Sequence, residues 1–217
     1  MAEVKKHGTQ EKRIVAMIGY GSQGRAMALN LRDSGYPVVL GLRARSKSRR
    51  VARREGFSEI LSIPDAVRHS HIVCFAFPDH LHGRVFKESI APSLPDKTTL
   101  WLLHGASVHF GSVVPPKGAD VILIAPHGPG VAVREEYLGE RSISAFYAVH
   151  RNRSRKAGGT IKKLASAVGV RPGNLLKTTF EQEAVGDLFG EQAVLCGGLA
   201  MLIKSGFEGL VENGFKP

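Results

Sequence analysis

Ile14-Val15-Ala16-Met17-Ile18 runs directly into Gly19-Tyr20-Gly21-Ser22-Gln23-Gly24, so five apolar residues are followed at once by a Gly-x-Gly-x-x-Gly loop. The apolar run has the length of a buried strand, and residues 23–34 carry a helical pattern, which puts the glycines at a strand-to-helix turn. Each glycine then has a mechanical role. Gly19 permits the tight turn, Gly21 lets the backbone approach a pyrophosphate, and Gly24 lets the helix pack close to the strand. The helix start offers unpaired N–H groups and the positive end of its dipole to phosphate. Tyr20, Ser22 and Gln23 belong to the same binding loop.

Similar apolar runs follow at residues 38–42, 72–77, 99–103, 121–125 and 143–149, with helical patterns at 23–34, 47–55, 64–69 and 81–90 between them. Continuous apolar strands alternating with helices predict an α/β protein, a Rossmann-type doubly wound parallel sheet covered on both faces. The end of the second strand distinguishes two cofactors. An NAD site places Asp or Glu there to bond the ribose 2′-hydroxyl. Here Leu42 is followed by Arg43, Ala44, Arg45, Ser46, Lys47 and Ser48, with no acid. Arginine forks and hydroxyls suit a 2′-phosphate, so Arg43, Arg45, Ser46 and Ser48 predict NADP(H). Arg49 to Arg54 read as a solvated helix face.

After residue 150 the character changes. Residues 151–159 are polar and basic, 162–168 read as one more helix, and Thr179-Phe180-Glu181-Gln182 fits a capping box opening a long helix. Its apolar positions, among them Leu188, Phe189, Val194, Leu195, Leu199, Leu202 and Ile203, are too dense for a face in water, so burial against a partner is expected. The division is residues 1–178 as a nucleotide-binding domain and 179–217 as the start of an all-α C-terminal segment.

The 217 residues are 43% hydrophobic and 23% charged, a globular balance that rules out global disorder. Lys and Arg number 30 against 19 Asp and Glu, a net +11 that favours anionic partners. The excess gathers in residues 43–54 and again in Arg151, Arg153, Arg155 and Lys156. No aromatic stripe accompanies it, so nucleic acid is not an expected partner. Cys74 and Cys196 lie far apart, which argues against a disulfide framework and for a reducing compartment. Residues 1–13 are polar and basic, with no apolar core of a signal peptide. No run approaches the roughly 18 apolar residues of a membrane span, and the expected location is the cytoplasm.

Several stretches together resemble ketol-acid reductoisomerase, also called acetohydroxy acid isomeroreductase. They are residues 18–24, 28–35, Gly41-Leu42-Arg43 with Ser46-Lys47-Ser48, Phe77-Pro78-Asp79, His104-Gly105, Val108-His109-Phe110-Gly111, Ala125-Pro126, Gly128-Pro129-Gly130 and Asp187 to Gly198. The resemblance extends from about residue 14 to 217. It implies an NADPH-dependent oxidoreductase in which two Mg²⁺ ions assist an alkyl migration within a small acidic ketol acid of the acetolactate type, in branched-chain amino-acid biosynthesis. NADPH then reduces the product. It further implies that Asp187 bridges the metals, that Glu191 binds one, and that His104 lies near nicotinamide and substrate. Pro78, Asp79 and Gly130 would sit at the cofactor, and His109 would have a structural hydrogen-bonding role. By spacing alone, Asp187 and Glu191 are simply two carboxylates one helical turn apart.

Two departures stand out. The family's Pro-Lys-Gly reads Pro126-His127-Gly128, which replaces a fixed cation by a mostly neutral ring and makes His127 the catalytic candidate there. Family members also continue past the position of Pro217 with helices that carry further metal ligands. A weak or incomplete Mg²⁺ site and a homodimer through the helix beginning near Thr179 are therefore expected. The alternatives are an enzyme that hydrolyses a dinucleotide and a non-catalytic cofactor-binding module.

Overall fold

The computed structural model describes residues 13–217, so the reading of residues 1–12 lies outside the described residues. The chain begins β1 (Val15–Ile18), α1 (Ser22–Asp33), β2 (Val38–Gly41), α2 (Ser48–Arg54), β3 (Ile60–Leu61), α3 (Ile63–Arg68) and β4 (Ile72–Phe75). It continues α4 (His82–Val85), β5 (Thr99–Leu102), α5 (Ala106–His109), β6 (Asp120–Pro126), α6 (Gly130–Leu138) and β7 (Ala145–Arg151). Last come α7 (Ala157–Ala167), β8 (Leu175–Lys177), α8 (Phe180–Phe189) and α9 (Gly198–Glu212).

The strands form one sheet in the order β3-β2-β1-β4-β5-β6-β7-β8, parallel throughout except where β7 runs antiparallel to β6. Successive strand residues feed opposite faces. Val15 and Met17 join Met27, Leu31, Trp101 and Leu164 on one side, while Ala16 and Ile18 join Phe75, Ile90 and Leu102 on the other. The chain winds outward from β1 in both directions, and the crevice between β1 and β4 is where such sheets hold ligands.

The doubly wound sheet and the strands read from apolar runs are present. β3 and β8 were not read from sequence, because two and three residues are too short for a pattern. α5 and α6 also went unread. The expected 81–90 helix is a 3₁₀ turn at Asp79–Leu81, then α4, then a π-helical turn at Phe86–Ile90. α7 starts five residues earlier than expected, with Gly158 and Gly159 inside its first turn. β7 reverses because the chain leaves and re-enters the sheet at the same edge, where His127 N donates to Ser144 O at 2.8 Å. Arg49 is a correction to the solvated-face reading. Its guanidinium donates to Leu42 O, Leu61 O and Ile60 O, tying together the carbonyls at the ends of β2 and β3.

Thr179 caps α8, its Oγ1 accepting from Gln182 N at 3.0 Å. The helical course then passes through a π-helical turn, Gly190–Leu195, into α9. The expected burial does not occur within the described residues. No residue of α9 is buried, because no other element lies over it. The reading that nothing approaches a membrane span is also corrected. Phe180–Glu212 is a 33-residue helix that contains an 18-residue window of mean hydropathy 1.5, long and apolar enough to cross a bilayer by length and composition. Charges such as Lys204 and Glu208 interrupt the run without lowering the average enough.

Candidate active site

The glycine loop lies as its sequence requires. Gly19 has φ +100°, and a Cβ there would sit 2.3 Å from Ala76 O. A Cβ at Gly24 would meet Ala76 Cβ at 2.9 Å, so this glycine brings α1 against the turn after β4. Gly21 is different: a Cβ there would meet nothing, and the open space is the cleft itself. That cleft, about 220 Å³, is lined by the backbone of Gly19, Tyr20 and Gly21, by Arg43, Ser46 and Ser48, and by Phe77 and Pro78. The start of α1 has no side-chain cap, which leaves N–H groups for a ligand. An open glycine cradle, an uncapped helix and an arginine–serine rim fit a dinucleotide carrying a 2′-phosphate.

Other predicted cofactor residues hold the cleft's shape rather than line it. The Tyr20 ring turns away, its hydroxyl donating to Glu55 at 2.8 Å. Gln23 Nε2 donates to Gly128 O at 2.6 Å, while its Oε1 is buried without a partner. Gly130 lets α6 touch α1, since a Cβ there would overlap Ser22 O. Arg45 is exposed and lies outside the lining. Arg84, on α4, does line it and was not anticipated. Nothing in a lone arginine between two glycine motifs signals that placement.

Beyond Pro78 the cleft meets a cluster at the carboxyl ends of β4 and β5. Asp79 follows Pro78, and its Oδ2 lies 3.5 Å from His104 Nδ1. Asp187 Oδ2, on α8, lies 3.0 Å from His104 Nε2. Both nitrogens are buried at ion-pair distance from a carboxylate without completing a hydrogen bond. Burial opposes the cation, but Asp79, Glu183 and Asp187 outweigh it and raise the His104 pKa to about 9. Glu183 was not read from sequence. It is only 4% exposed and accepts from Gly105 N at 2.5 Å. Burial raises its pKa to about 7 against the opposing pull of His104 and the Gly105 N–H. Gly105 is what admits α8, because a Cβ there would lie 2.5 Å from Phe180 O.

His82, also unread, is buried beneath this cluster. Its Nε2 donates to Phe77 O at 2.9 Å, so Nδ1 accepts from the Ser107 hydroxyl at 3.0 Å, and burial lowers its pKa. His127 packs edge-on to Phe146 with ring centroids 4.1 Å apart, and burial lowers its pKa against the nearby Asp187 charge. His109 makes no side-chain hydrogen bond among the described residues. Its ring packs on Phe110, which corrects the expected hydrogen-bonding role.

Glu191 follows Asp187 by four residues and falls in the π-helical turn, with an exposed side chain. Among the described residues no three His, Cys, Asp or Glu side chains converge as metal ligands. Two carboxylates with retained waters suffice for one weakly held Mg²⁺, but they are fewer donors than the two-ion centre that the family resemblance implies. These residues do not by themselves form the implied metal centre.

A doubly wound sheet with this loop and rim defines a dinucleotide-binding oxidoreductase domain. Residues 9–173 match the family described as acetohydroxy acid isomeroreductase, NADPH-binding domain, and residues 180–217 match ketol-acid reductoisomerase, C-terminal domain. The chain belongs to the ketol-acid reductoisomerase family, and its nucleotide cofactor is NADP(H). It is 44% identical to the ketol-acid reductoisomerase (NADP(+)) of Petrotoga mobilis, covering 97% of this chain and 63% of the relative. The corresponding protein of Pyrobaculum aerophilum is 47% identical, with coverages of 94% and 62%. The chain thus spans about three fifths of the length of these relatives. A solved NADH-preferring ketol-acid reductoisomerase from an uncultured archean superposes with a TM-score of 0.88 at 38% identity, over 94% of this chain and 63% of that one. A semialdehyde dehydrogenase NAD-binding protein from Cupriavidus necator, 21% identical with a TM-score of 0.74 and coverages of 94% and 76%, shares the fold alone.

Proposed function

We propose that this chain acts as the cofactor-binding part and first catalytic helix of a ketol-acid reductoisomerase, reducing a small acidic 2-keto or 2-hydroxy-3-keto acid of the acetolactate type in the cytoplasm. The observation that carries the reading is the continuity of cleft and cluster: Pro78 lines one, and its neighbour Asp79 faces His104 in the other. When bound, NADPH supplies the hydride. The backbone at Gly19 and Gly21 with the α1 N-terminus holds the pyrophosphate, and Arg43, Ser46 and Ser48 hold the 2′-phosphate. Phe77 and Pro78 wall the cleft toward the reacting end. His104 offers an N–H to the substrate oxygen on which negative charge develops, with Asp79 and Asp187 orienting the ring.

Glu183 ties α8 to the Gly105 turn and so sets the position of Asp187. Asp187 and Glu191 would offer oxygen ligands to Mg²⁺, with water and donors other than the described residues completing a two-ion site. His127 supplies no fixed cation, so the alkyl migration loses more than the reduction does. A second copy of the chain covers the exposed faces of α8 and α9. Neither a membrane nor nucleic acid is a partner in this reading. Incubation with NADPH, Mg²⁺ and acetolactate tests it: substrate-dependent NADPH loss is expected, abolished in His104→Ala although that variant still binds NADPH. A folded, NADPH-saturated protein that oxidises no more cofactor than His104→Ala overturns it.

A further inference from the structure

β2 and β4 flank β1 in the sheet, so the segments that follow them form the two walls of the dinucleotide cleft on either side of the glycine loop. The wall after β4 is the 3₁₀ turn at Asp79–Leu81 and α4, and its two faces differ. His82 and Phe86 are buried, and a Cβ at Gly83 would meet Ser112 O at 2.9 Å, so one face is fixed against the body of the protein. His82 adds hydrogen bonds to Phe77 O and the Ser107 hydroxyl. Leu81, Arg84 and Val85, spaced three and four apart, share the other face and line the cleft.

Among the described residues the cleft lining holds two cations, Arg43 on one wall and Arg84 on the other, and no acid. Neither guanidinium has a hydrogen-bond or ion-pair partner among the described residues. Neighbouring arginines are committed elsewhere: Arg25 to Glu55, Arg49 to strand carbonyls and Arg68 to Asp65. Two free cations facing one small concavity repel each other until an anion lies between them. Ile63, Leu81 and Val85 give the same space an apolar surface on which a flat ring can rest. At about 220 Å³ the cleft falls below the usual range for a whole small-molecule site, about 300–1,000 Å³, which fits one end of a dinucleotide. The apolar seat and the arginine–serine rim make that the adenosine end.

We propose that Arg84 is a specificity-determining residue, whose guanidinium meets the 2′-phosphate of the cofactor from the α4 wall while Arg43, Ser46 and Ser48 meet it from the β2 wall. The inference rests on the reading of this cleft as an NADP(H) site. Adenine offers a guanidinium no charge, whereas the 2′-phosphate offers a dianion, and charge-assisted paired bonds are the stronger interaction. The fold does not choose between the cofactors, since the NADH-preferring relative shares it. The choice therefore falls to rim side chains, and Arg84 is the rim cation that lies outside the segment after β2.

The test is calorimetric titration of NADPH and of NADH into the parent, Arg84→Leu and Arg84→Lys. Arg84→Leu should weaken NADPH roughly tenfold and leave NADH within about twofold. The fragment 2′,5′-ADP, which keeps the 2′-phosphate and lacks the nicotinamide, should lose the same factor as NADPH. Arg84→Lys should recover part of the loss, because its ammonium keeps the charge without the planar fork. Arg84 is exposed, so both variants should melt like the parent. Equal weakening of NADPH and NADH would place Arg84 on the adenine or the pyrophosphate and overturn the proposal, as would Arg84→Leu binding NADPH like the parent. A parent that binds NADPH no better than NADH would instead overturn the NADP(H) reading of the cleft, and the inference with it.

Discussion

A methyl group added at Gly19 would collide with Ala76 O on a backbone that already has φ +100°, whereas one added at Gly21 would enter empty cleft. The two substitutions should therefore separate stability from binding. Gly19→Ala is expected to cost about 2–4 kcal/mol in a denaturant melt, combining left-handed strain with overpacking. Gly21→Ala should leave the melt within about 0.5 kcal/mol of the parent while weakening NADPH roughly tenfold. Glu183 gives a second prediction at this scale. Its carboxyl is raised to about 7 in the fold, so between pH 4.5 and 7 the unfolded chain ionises first and stability falls. His104, held near 9, extends the decline upward, because its favourable charge is lost as pH rises toward that value. In metal-free buffer, Glu183→Gln should remove the lower part of this slope, worth about 3 kcal/mol. An unchanged slope would contradict the burial argument. The glycines were legible because each role follows from position in a strand-loop-helix unit. Glu183 was not, because an acid four residues before Asp187 looks like any helix face until Gly105 is seen to admit α8.

Among the elements, β1, β2 and β4 to β6 announce themselves as apolar runs because both faces are largely buried, and β7 does so although it is only partly covered. β3 and β8 are too short to carry a period, and the direction of β7 depends on where the chain re-enters the sheet, which no local pattern encodes. Helix starts were legible where a side chain caps them. Thr179→Ala should cost about 1 kcal/mol in the melt, a loss that Thr179→Ser largely restores. α7 was read too short because glycines in a first turn resemble a loop. Arg49 reads in the sequence as a solvated charge because the strand carbonyls it serves belong partly to β3, which is too short to carry a pattern.

At the scale of the molecule, the long helical course from Phe180 to Glu212 presents apolar side chains to solvent, with Phe189 at 67% and Leu202 at 71% exposure. Such a continuous apolar surface calls for a partner. In the proposed dimer, sedimentation should give twice 23.4 kDa, and Leu202→Glu with Phe207→Glu should return the mass to one chain without weakening NADPH. A monomeric parent would contradict the dimer. The apolar pattern was legible; what covers it was not, because burial by a second molecule leaves no further mark within one chain. Cofactor binding depends most directly on the cleft that Gly21 and Arg43 line. Calorimetric titration of NADPH into the parent and Arg43→Ala should show one site per chain, weakened about tenfold when the guanidinium is removed. Equal affinities, or no binding by the folded parent, would contradict it.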